Sequence, residues 1–109
     1  MMFCLFCKIA AKEIPASLRH EDDTCIAFDD IYPKAPTHVL VVPKRHIESV
    51  NALTSADATL VGRLVLVAQA IAQDAGIAER GYKLVVNCGE EGGQVIPHLH
   101  VHLLGGKPL

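Results

Sequence analysis

Three histidines, His98, His100 and His102, alternate with apolar residues near the C-terminal end of the chain. In a β-strand successive side chains point to opposite faces, so this spacing predicts all three imidazoles on one face. Imidazole near neutral pH serves as nucleophile, proton carrier or metal ligand. The alternation therefore favours a functional site over a strand whose solvent face happens to carry histidine.

A glycine-rich segment over 89–93 comes shortly before these histidines. Glycine lets the backbone approach an oxyanion closely, and oriented N–H groups offset the negative charge of a phosphoryl group. The candidate donors are Gly93, Asn87, Gln94 and the backbone amide of Val95. A plain hairpin loop would carry the same glycines, so this interpretation depends on the adjoining histidines.

Cys4 and Cys7 are separated by two residues, which is the spacing of a possible metal half-site. The N-terminus has no basic segment ahead of a long apolar one, so a cytoplasmic location is expected. Disulfides are not expected in that reducing compartment. Cys25 and Cys88 belong to no motif and are interpreted as small core residues.

The formal net charge is −2, and the chain has no basic cluster beyond Lys44-Arg45. This balance argues against DNA or RNA as a partner, although a single small phosphate ligand is compatible with it. The longest apolar run, 64–68, is much shorter than the ~18 residues that a membrane span requires. No membrane partner is therefore expected.

The elements that must position these groups form one α+β domain over residues 1–109. We expect an antiparallel sheet of about five strands, one short helix over 5–12, and one long helix that starts at Thr54 or Ser55 and ends at Gly76. The strands are predicted over 18–21, 25–29, 39–42, 82–87 and 98–104.

The long helix carries two adjacent apolar stripes. The first contains Leu60, Leu64, Val67, Ile71 and Ala75, and the second contains Val61, Val65, Ala68 and Ala72. One small sheet cannot cover both stripes, and the strand segment 84–86 is apolar on both faces. A two-fold homodimer that buries the outer stripe and joins the two sheets edge to edge is predicted.

The run 98–104 resembles the signature of the histidine triad nucleotide-binding proteins, or HIT proteins. Blocks in the order of that family extend the resemblance over nearly the whole chain, at 6–9, 13–15, 27–31, 35–47 and 86–89. The continuation Leu104-Gly105-Gly106 resembles the branch that hydrolyses purine nucleoside phosphoramidates. The resemblance implies a HIT-like fold, a homodimer and hydrolysis of substrates such as adenosine 5'-phosphoramidate, with no cofactor required for the chemistry.

The resemblance also implies roles for individual histidines. His100 matches the nucleophile, which would attack the α-phosphorus and form a nucleotidyl-histidine intermediate that water then cleaves. His102 would donate a hydrogen bond to a phosphate oxygen, and His38 would support the tautomer of the nucleophile from the neighbouring strand. For His38, a partly buried histidine that only satisfies its own hydrogen bonds is the competing interpretation.

The residues that would bind the nucleoside follow from the same resemblance. Asp30 matches the acidic residue that takes the ribose hydroxyls, since a carboxylate accepts two hydrogen bonds at once. The apolar cleft around the base would be formed by Phe6, Ile9, Ile14, Phe28 and Ile31, which without the family would be interpreted as core residues. Such a cleft reads few base edges, so a modest purine preference is expected.

Some branches of the family carry a zinc site at positions that match Cys4, Cys7, His46 and His98. Two thiolates and two imidazoles suit a closed tetrahedral site, whose role would be structural. The alternative is a pair of buried free thiols on a short helix with two ordinary histidines. One departure concerns Val95, which stands where many phosphoramidase-like members carry a hydroxyl residue, so rate or leaving-group preference is expected to differ.

Three classes of function stay open. The first is a nucleotidyl hydrolase that acts through His100, with dinucleoside polyphosphates as the second substrate class. The second is a nucleotide-binding or zinc-binding interaction module with negligible turnover. The third is a metallo-hydrolase in which His98, His100 and His102 together hold a catalytic metal.

Overall fold

The computed structural model describes residues 4–109. Its elements in chain order are helix α1 (Leu5–Ala10), strands β1 (Leu18–Glu21), β2 (Cys25–Asp29) and β3 (Thr37–Pro43), two 3₁₀ turns (Val50–Ala52 and Ser55–Asp57), helix α2 (Ala58–Asp74), and strands β4 (Tyr82–Val85) and β5 (Val101–Gly105). The predicted positions of both helices and all five strands are confirmed to within a few residues at their ends.

The five strands form one sheet in the order β1-β2-β3-β5-β4, and every neighbouring pair is antiparallel. The α+β class with an antiparallel sheet is therefore confirmed. The central pair β3 and β5 places Leu40 opposite His102 and His38 opposite Leu104. This register brings one histidine from each strand to the same face of the sheet.

The sheet separates two apolar clusters. Helix α2 packs on one face, where Leu64, Val67 and Ile71 meet inward residues of β3 and β5. Helix α1 covers part of the other face, where Phe6 and Ile9 meet Phe28, Leu40 and other residues of β2 and β3. Because α2 and the first cluster cover one face of the sheet, the candidate functional site lies on the other face, which α1 covers only in part.

Strand β5 begins at Val101, three residues later than predicted. Before it, the backbone N–H of Leu99 donates to the carbonyl oxygen of Ile47 at 2.6 Å, so this segment bonds to a loop and not to a neighbouring strand. The alternation still holds. Leu99, Val101 and Leu103 are buried in the cluster under α2.

The long helix departs from the prediction in two ways. Thr54 caps a 3₁₀ turn that leads into α2, through a capping box with Asp57, and does not cap the α-helix itself. Of the second apolar stripe, Ala68 and Ala72 are buried, whereas Val65 is 43% exposed. The reason is that small alanines sit under the helix beside the first stripe, so the two stripes share one buried face.

The segment Ser55–Asp74 is long and apolar enough to cross a membrane, with a mean hydropathy of 1.3. Its residues Leu64, Ala68 and Ala72 are nevertheless buried against the protein's own sheet. A helix packed in this way is typical of a protein core.

Candidate active site

A cleft of about 530 Å³ opens on the face of the sheet that α1 partly covers. Eleven of the twelve residues predicted to contact a nucleotide line it: Phe6, Ile9, Ile14, Phe28, Asp30, Ile31, Asn87, Gly93, Val95, His100 and His102. The first four belong to one apolar cluster and form the apolar end of the cleft, where Phe6 also contacts the ring of His100. A flat apolar ring and a charged phosphate therefore both have a fitting environment within one cleft.

The ring of His100 is buried against Phe6, with the two ring centroids 5.1 Å apart in an edge-on arrangement. Its Nδ1 lies 2.7 Å from the carbonyl oxygen of His98. A carbonyl oxygen only accepts, so Nδ1 carries the proton and Nε2 carries the lone pair. Burial holds the pKa of His100 below its ordinary value. The ring is therefore neutral near pH 7 and has one nucleophilic nitrogen.

His38 and His102 form a hydrogen-bonded pair whose tautomers are also fixed. The backbone N–H of Lys34 donates to Nδ1 of His38 at 3.1 Å, so Nε2 of the neutral ring carries the proton. This Nε2 lies 2.9 Å from Nδ1 of His102 and donates to it. The remaining proton of neutral His102 is consequently on its Nε2, as a donor.

Burial is the main reason why the pKa values of both rings are lowered. The pKa of His102 falls to about 4, because the neighbouring rings of His100 and His38 add to the effect of burial. His38 therefore contacts His102, whereas the proton on Nδ1 of His100 is held by the carbonyl oxygen of His98, so the predicted support of the His100 tautomer by His38 is not what this geometry shows.

Asp30 lies at the end of the cleft that adjoins this pair. Its Oδ1 accepts from the backbone N–H of Tyr32 at 2.9 Å, and its Oδ2 is 3.4 Å from Nε2 of His38. Each carboxylate oxygen has a second lone pair. The side chain is half-buried and lines the cleft, so a ligand hydroxyl can reach it.

Gln94 is placed differently from the prediction, because it does not line the cleft. Its Oε1 accepts from the backbone N–H of Gly89 at 2.9 Å. Its Nε2 donates to the carbonyl oxygens of Glu48 and Ile96, at 2.8 and 3.0 Å. All three bonds hold the loop, so the side chain of Gln94 shapes this segment and is not free to contact a ligand in the cleft.

Of the glycine-rich segment 89–93, Gly93 lines the cleft, together with the flanking residues Asn87 and Val95. Asn87 donates from Nδ2 to the carbonyl oxygen of Gly92 at 2.8 Å, which closes the loop on itself. Gly93 has a positive φ of 81°, a conformation that glycine adopts without strain. Val95 is 86% exposed at the rim, so neither its methyl groups nor its backbone is shielded from a ligand.

Cys4, Cys7, His46 and His98 come together at the N-terminal end of α1, with their potential ligand atoms all within 4.8 Å of one another. Nδ1 of His98 lies 3.3 Å from both Sγ of Cys4 and Nδ1 of His46. Nε2 of His98 donates to the carbonyl oxygen of Pro43 at 2.8 Å, which leaves Nδ1 unprotonated.

These separations suit a tetrahedral zinc ion. Ordinary Zn–N and Zn–S lengths imply N···N and S···N separations of about 3.3 and 3.6 Å between ligands. The structure has 3.3 Å between the two imidazole nitrogens, and the S···N distances of Cys7 are 3.3 Å to His46 and 3.5 Å to His98. The donor set therefore fits the ion. Within residues 4–109, no candidate metal cluster joins His98, His100 and His102.

The other two cysteines lie apart from this cluster. Cys25 is fully buried in the core, as predicted, whereas Cys88, which was also predicted as a core residue, is half-buried in the loop segment and belongs to neither apolar cluster. The sequence analysis missed Lys34, which lines the cleft from the loop before β3. The only sequence signal for Lys34 as a cleft residue is its position four residues before His38, because a residue pattern does not show the path of a loop.

Comparisons with known proteins agree with this geometry. The HIT domain family model matches residues 11–109. The purine nucleoside phosphoramidase of Escherichia coli K12 is 46% identical over 105 residues, which cover 96% of this chain and 88% of that protein.

Solved structures are equally similar. A HIT family hydrolase from Legionella pneumophila superposes with a TM-score of 0.96 at 47% identity, covering 97% of this chain and 95% of that one. A histidine triad protein from Clostridium difficile has a TM-score of 0.96 at 43% identity, covering 100% and 95%. The chain belongs to the HIT family, and it is a HIT family hydrolase with homology to purine nucleoside phosphoramidase.

Proposed function

We propose that the protein hydrolyses purine nucleoside phosphoramidates, of the adenosine 5'-phosphoramidate type, through a covalent intermediate on His100. The observation that carries this proposal is the fixed tautomer of His100. Its Nδ1 proton is held by the carbonyl oxygen of His98, so the unprotonated Nε2 is available in a cleft that fits a nucleotide. The name of the Escherichia coli relative supports the substrate class.

In the first step Nε2 of His100 attacks the α-phosphorus in line with the P–N bond. The N–P bond to histidine forms, the P–N bond to the amine breaks, and the departing nitrogen takes up a proton that originates from solvent. The positive charge that develops on the ring of His100 is stabilised through Nδ1 by the carbonyl oxygen of His98. In the second step water displaces the histidine, releases the nucleotide and returns the proton.

His102 acts as a hydrogen-bond donor in both steps. Its Nδ1 is occupied by His38, so its Nε2–H is directed to a phosphate oxygen or to the leaving atom. The backbone of the glycine-rich loop adds donors near Gly93. These groups offset charge that increases on the phosphoryl oxygens in the transition state.

The nucleoside occupies the remainder of the cleft. Its base packs among Phe6, Ile9, Ile14 and Phe28, with Ile31 at the rim, and its ribose hydroxyls bond to Asp30. Because the base end is formed by apolar side chains, it distinguishes bases weakly.

A dinucleoside polyphosphate is the second candidate substrate. Glu90 and Glu91 are exposed on the glycine-rich loop, and the segment 87–98 contains no lysine or arginine. Added phosphates that extend along this loop would meet repulsion. Among the described residues that line the cleft, Lys34 is the one lysine or arginine, and it lies in the segment before β3 and not on this loop.

Two further features belong to the proposal. A structural zinc ion would be held by Cys4, Cys7, His46 and His98. The ion would link α1 to the segments that precede α2 and β5 and so stabilise the folded chain.

Two copies of the chain would pair through the exposed face of α2 and the edge strand β4, where Val65, Leu66 and Leu84 are exposed. A cytoplasmic location stays a prediction.

Mass spectrometry of intact protein, quenched during turnover of adenosine phosphoramidate, tests the reaction. We expect a mass increase of one adenylyl group, which is absent in the His100→Asn variant. That variant should keep nucleotide binding and lose at least ~100-fold in turnover, whereas His102→Asn should be affected less. An active His100→Asn protein, or no adenylylated species together with equal losses in both variants, would exclude His100 as nucleophile.

A further inference from the structure

The cleft is lined by a lysine whose charge the protein does not neutralise. The side chain of Lys34 is exposed and makes no hydrogen bond or ion pair within the described part of the chain. Both carboxylates of the cleft have other partners. Asp29 accepts from Arg19 at 2.9 Å, and Asp30 accepts from the backbone N–H of Tyr32 at 2.9 Å.

The backbone of Lys34 is held beside the histidine pair. Its N–H donates to Nδ1 of His38, and Pro33 and Pro36 restrict the segment on both sides. The position of the charge agrees with this anchoring. Burial is the main cause of the lowered pKa values of His38 and His102, and the positive charge of Lys34 lowers both further.

The charge of Lys34 acts on His102, the histidine that the proposed reaction places beside the leaving atom. With the base in the apolar end and the phosphorus before Nε2 of His100, in-line displacement places the leaving group on the far side of the phosphorus. In the proposed reaction His102 directs its Nε2–H to a phosphate oxygen or to this leaving atom, and its Nδ1 bonds to His38, which accepts from the backbone N–H of Lys34. The side chain of Lys34 is exposed and lines the same cleft.

We propose that Lys34 is a specificity-determining residue that selects substrates whose leaving group carries an anion, a carboxylate or a phosphate, near the scissile P–N bond. This inference rests on the proposed function, because it uses the orientation of the substrate in that reaction. An ammonium on a flexible stem recognises charge more than shape. A simple alkylamine leaving group gives it no partner, whereas an acidic one forms an ion pair in the partly shielded cleft.

If the ammonium of Lys34 contacts the α-phosphate instead, it should change kcat/KM by the same factor for every substrate, because all of them carry this phosphate. The two cases are separated by a matched pair of adenosine phosphoramidates, one made with glycine and the other with glycinamide. These leaving groups have nearly the same size and differ in one negative charge. A third substrate, made with phosphoethanolamine, distinguishes a phosphate from a carboxylate as the preferred anion.

The test is kcat/KM for these substrates at low ionic strength. We expect the wild type to prefer the anionic leaving groups over glycinamide by about 10-fold, and added salt to reduce this preference. The Lys34→Gln variant should lose the preference by losing rate on the anionic substrates alone, and Lys34→Arg should keep it. Arg80→Gln removes an equal charge from an exposed position outside the cleft and should leave the preference intact.

An equal loss on all three substrates in Lys34→Gln would overturn the proposal in favour of α-phosphate binding, and an unchanged ratio would overturn it outright. The same ratio is measured as Kd on a His100→Asn background, where bound substrate persists. If the wild type turns over none of the substrates, the proposed function fails. The role of Lys34 is still decided by Kd, because the preference for anionic over neutral ligands can be compared between His100→Asn and the double variant His100→Asn with Lys34→Gln.

Discussion

His98 contacts the proposed nucleophile, His100, and the candidate metal cluster with different atoms. Its carbonyl oxygen accepts from Nδ1 of His100 at 2.7 Å, while its own Nδ1 lies 3.3 Å from Sγ of Cys4. The ring is fully buried and anchored at Nε2 by Pro43. The position of this one residue therefore determines both the tautomer of His100 and the closure of the cluster.

The first prediction concerns pH. Protonation of Nε2 removes the lone pair of His100, so activity requires the neutral ring. Burial lowers the pKa of His100 below its ordinary value of about 6.5, so the neutral ring persists to more acidic pH. The acid limb of kcat/KM, which reports the free enzyme, should lie below pH 6.5. Rates are corrected for uncatalysed hydrolysis, and circular dichroism checks folding at each pH. A half-maximal rate at or above pH 6.5 would contradict the buried, neutral nucleophile.

The second prediction concerns the metal. Protein purified without chelator should contain close to one zinc per chain by elemental analysis. The double variant Cys4→Ser with Cys7→Ser should lose the ion and melt at a lower temperature, because a metal that binds only the folded state stabilises it. Cys88→Ser is the matched control, since this half-buried thiol lies outside the cluster. Metal-free wild-type protein whose Tm does not respond to zinc would contradict the site.

Residue periodicity was sufficient to predict most of this fold. Strand β2 has the predicted bounds because its run of apolar residues is buried on both faces, between the two clusters. The start of β5 was wrong because the bond from Leu99 to Ile47 joins residues 52 positions apart, which local pattern does not reveal. A long-range contact explains the placement of Gln94 as well. Gln94 was predicted as a phosphate donor, but Glu48 occupies its amide from a distant loop.

The third prediction concerns assembly. Helix α2 leaves Leu66 56% exposed, and the edge strand β4 leaves Leu84 36% exposed. Light scattering should give the mass of a dimer at micromolar concentration. Leu66→Glu should shift the protein toward the monomer, because a charge buried in an apolar interface without a partner is unfavourable. Val50→Glu introduces the same charge at an exposed apolar residue on a 3₁₀ turn and should stay dimeric. A monomeric wild type would exclude the predicted pairing.

The last prediction separates the two substrate classes. An amine leaves readily once protonated, so a phosphoramidate needs little beyond His100, the donor loop and a proton, whereas a polyphosphate needs cations along its chain. The loop that carries Val95 offers Glu90 and Glu91 instead. Wild-type kcat/KM for adenosine phosphoramidate should therefore exceed that for diadenosine polyphosphates by at least ~10-fold at one ionic strength, or about 1.4 kcal/mol of transition-state stabilisation.

The same assay defines the contribution of Val95, which lines the cleft and cannot donate a hydrogen bond. Val95→Ser should raise the rate on the phosphoramidate by adding a hydroxyl donor near the phosphate, and Val95→Ala controls for the loss of side-chain volume. Equal gains in both variants would assign the effect to space and not to the hydroxyl. No gain in either would mean that the backbone amide already supplies the donor, and a reversed wild-type preference would move the protein to the polyphosphate class.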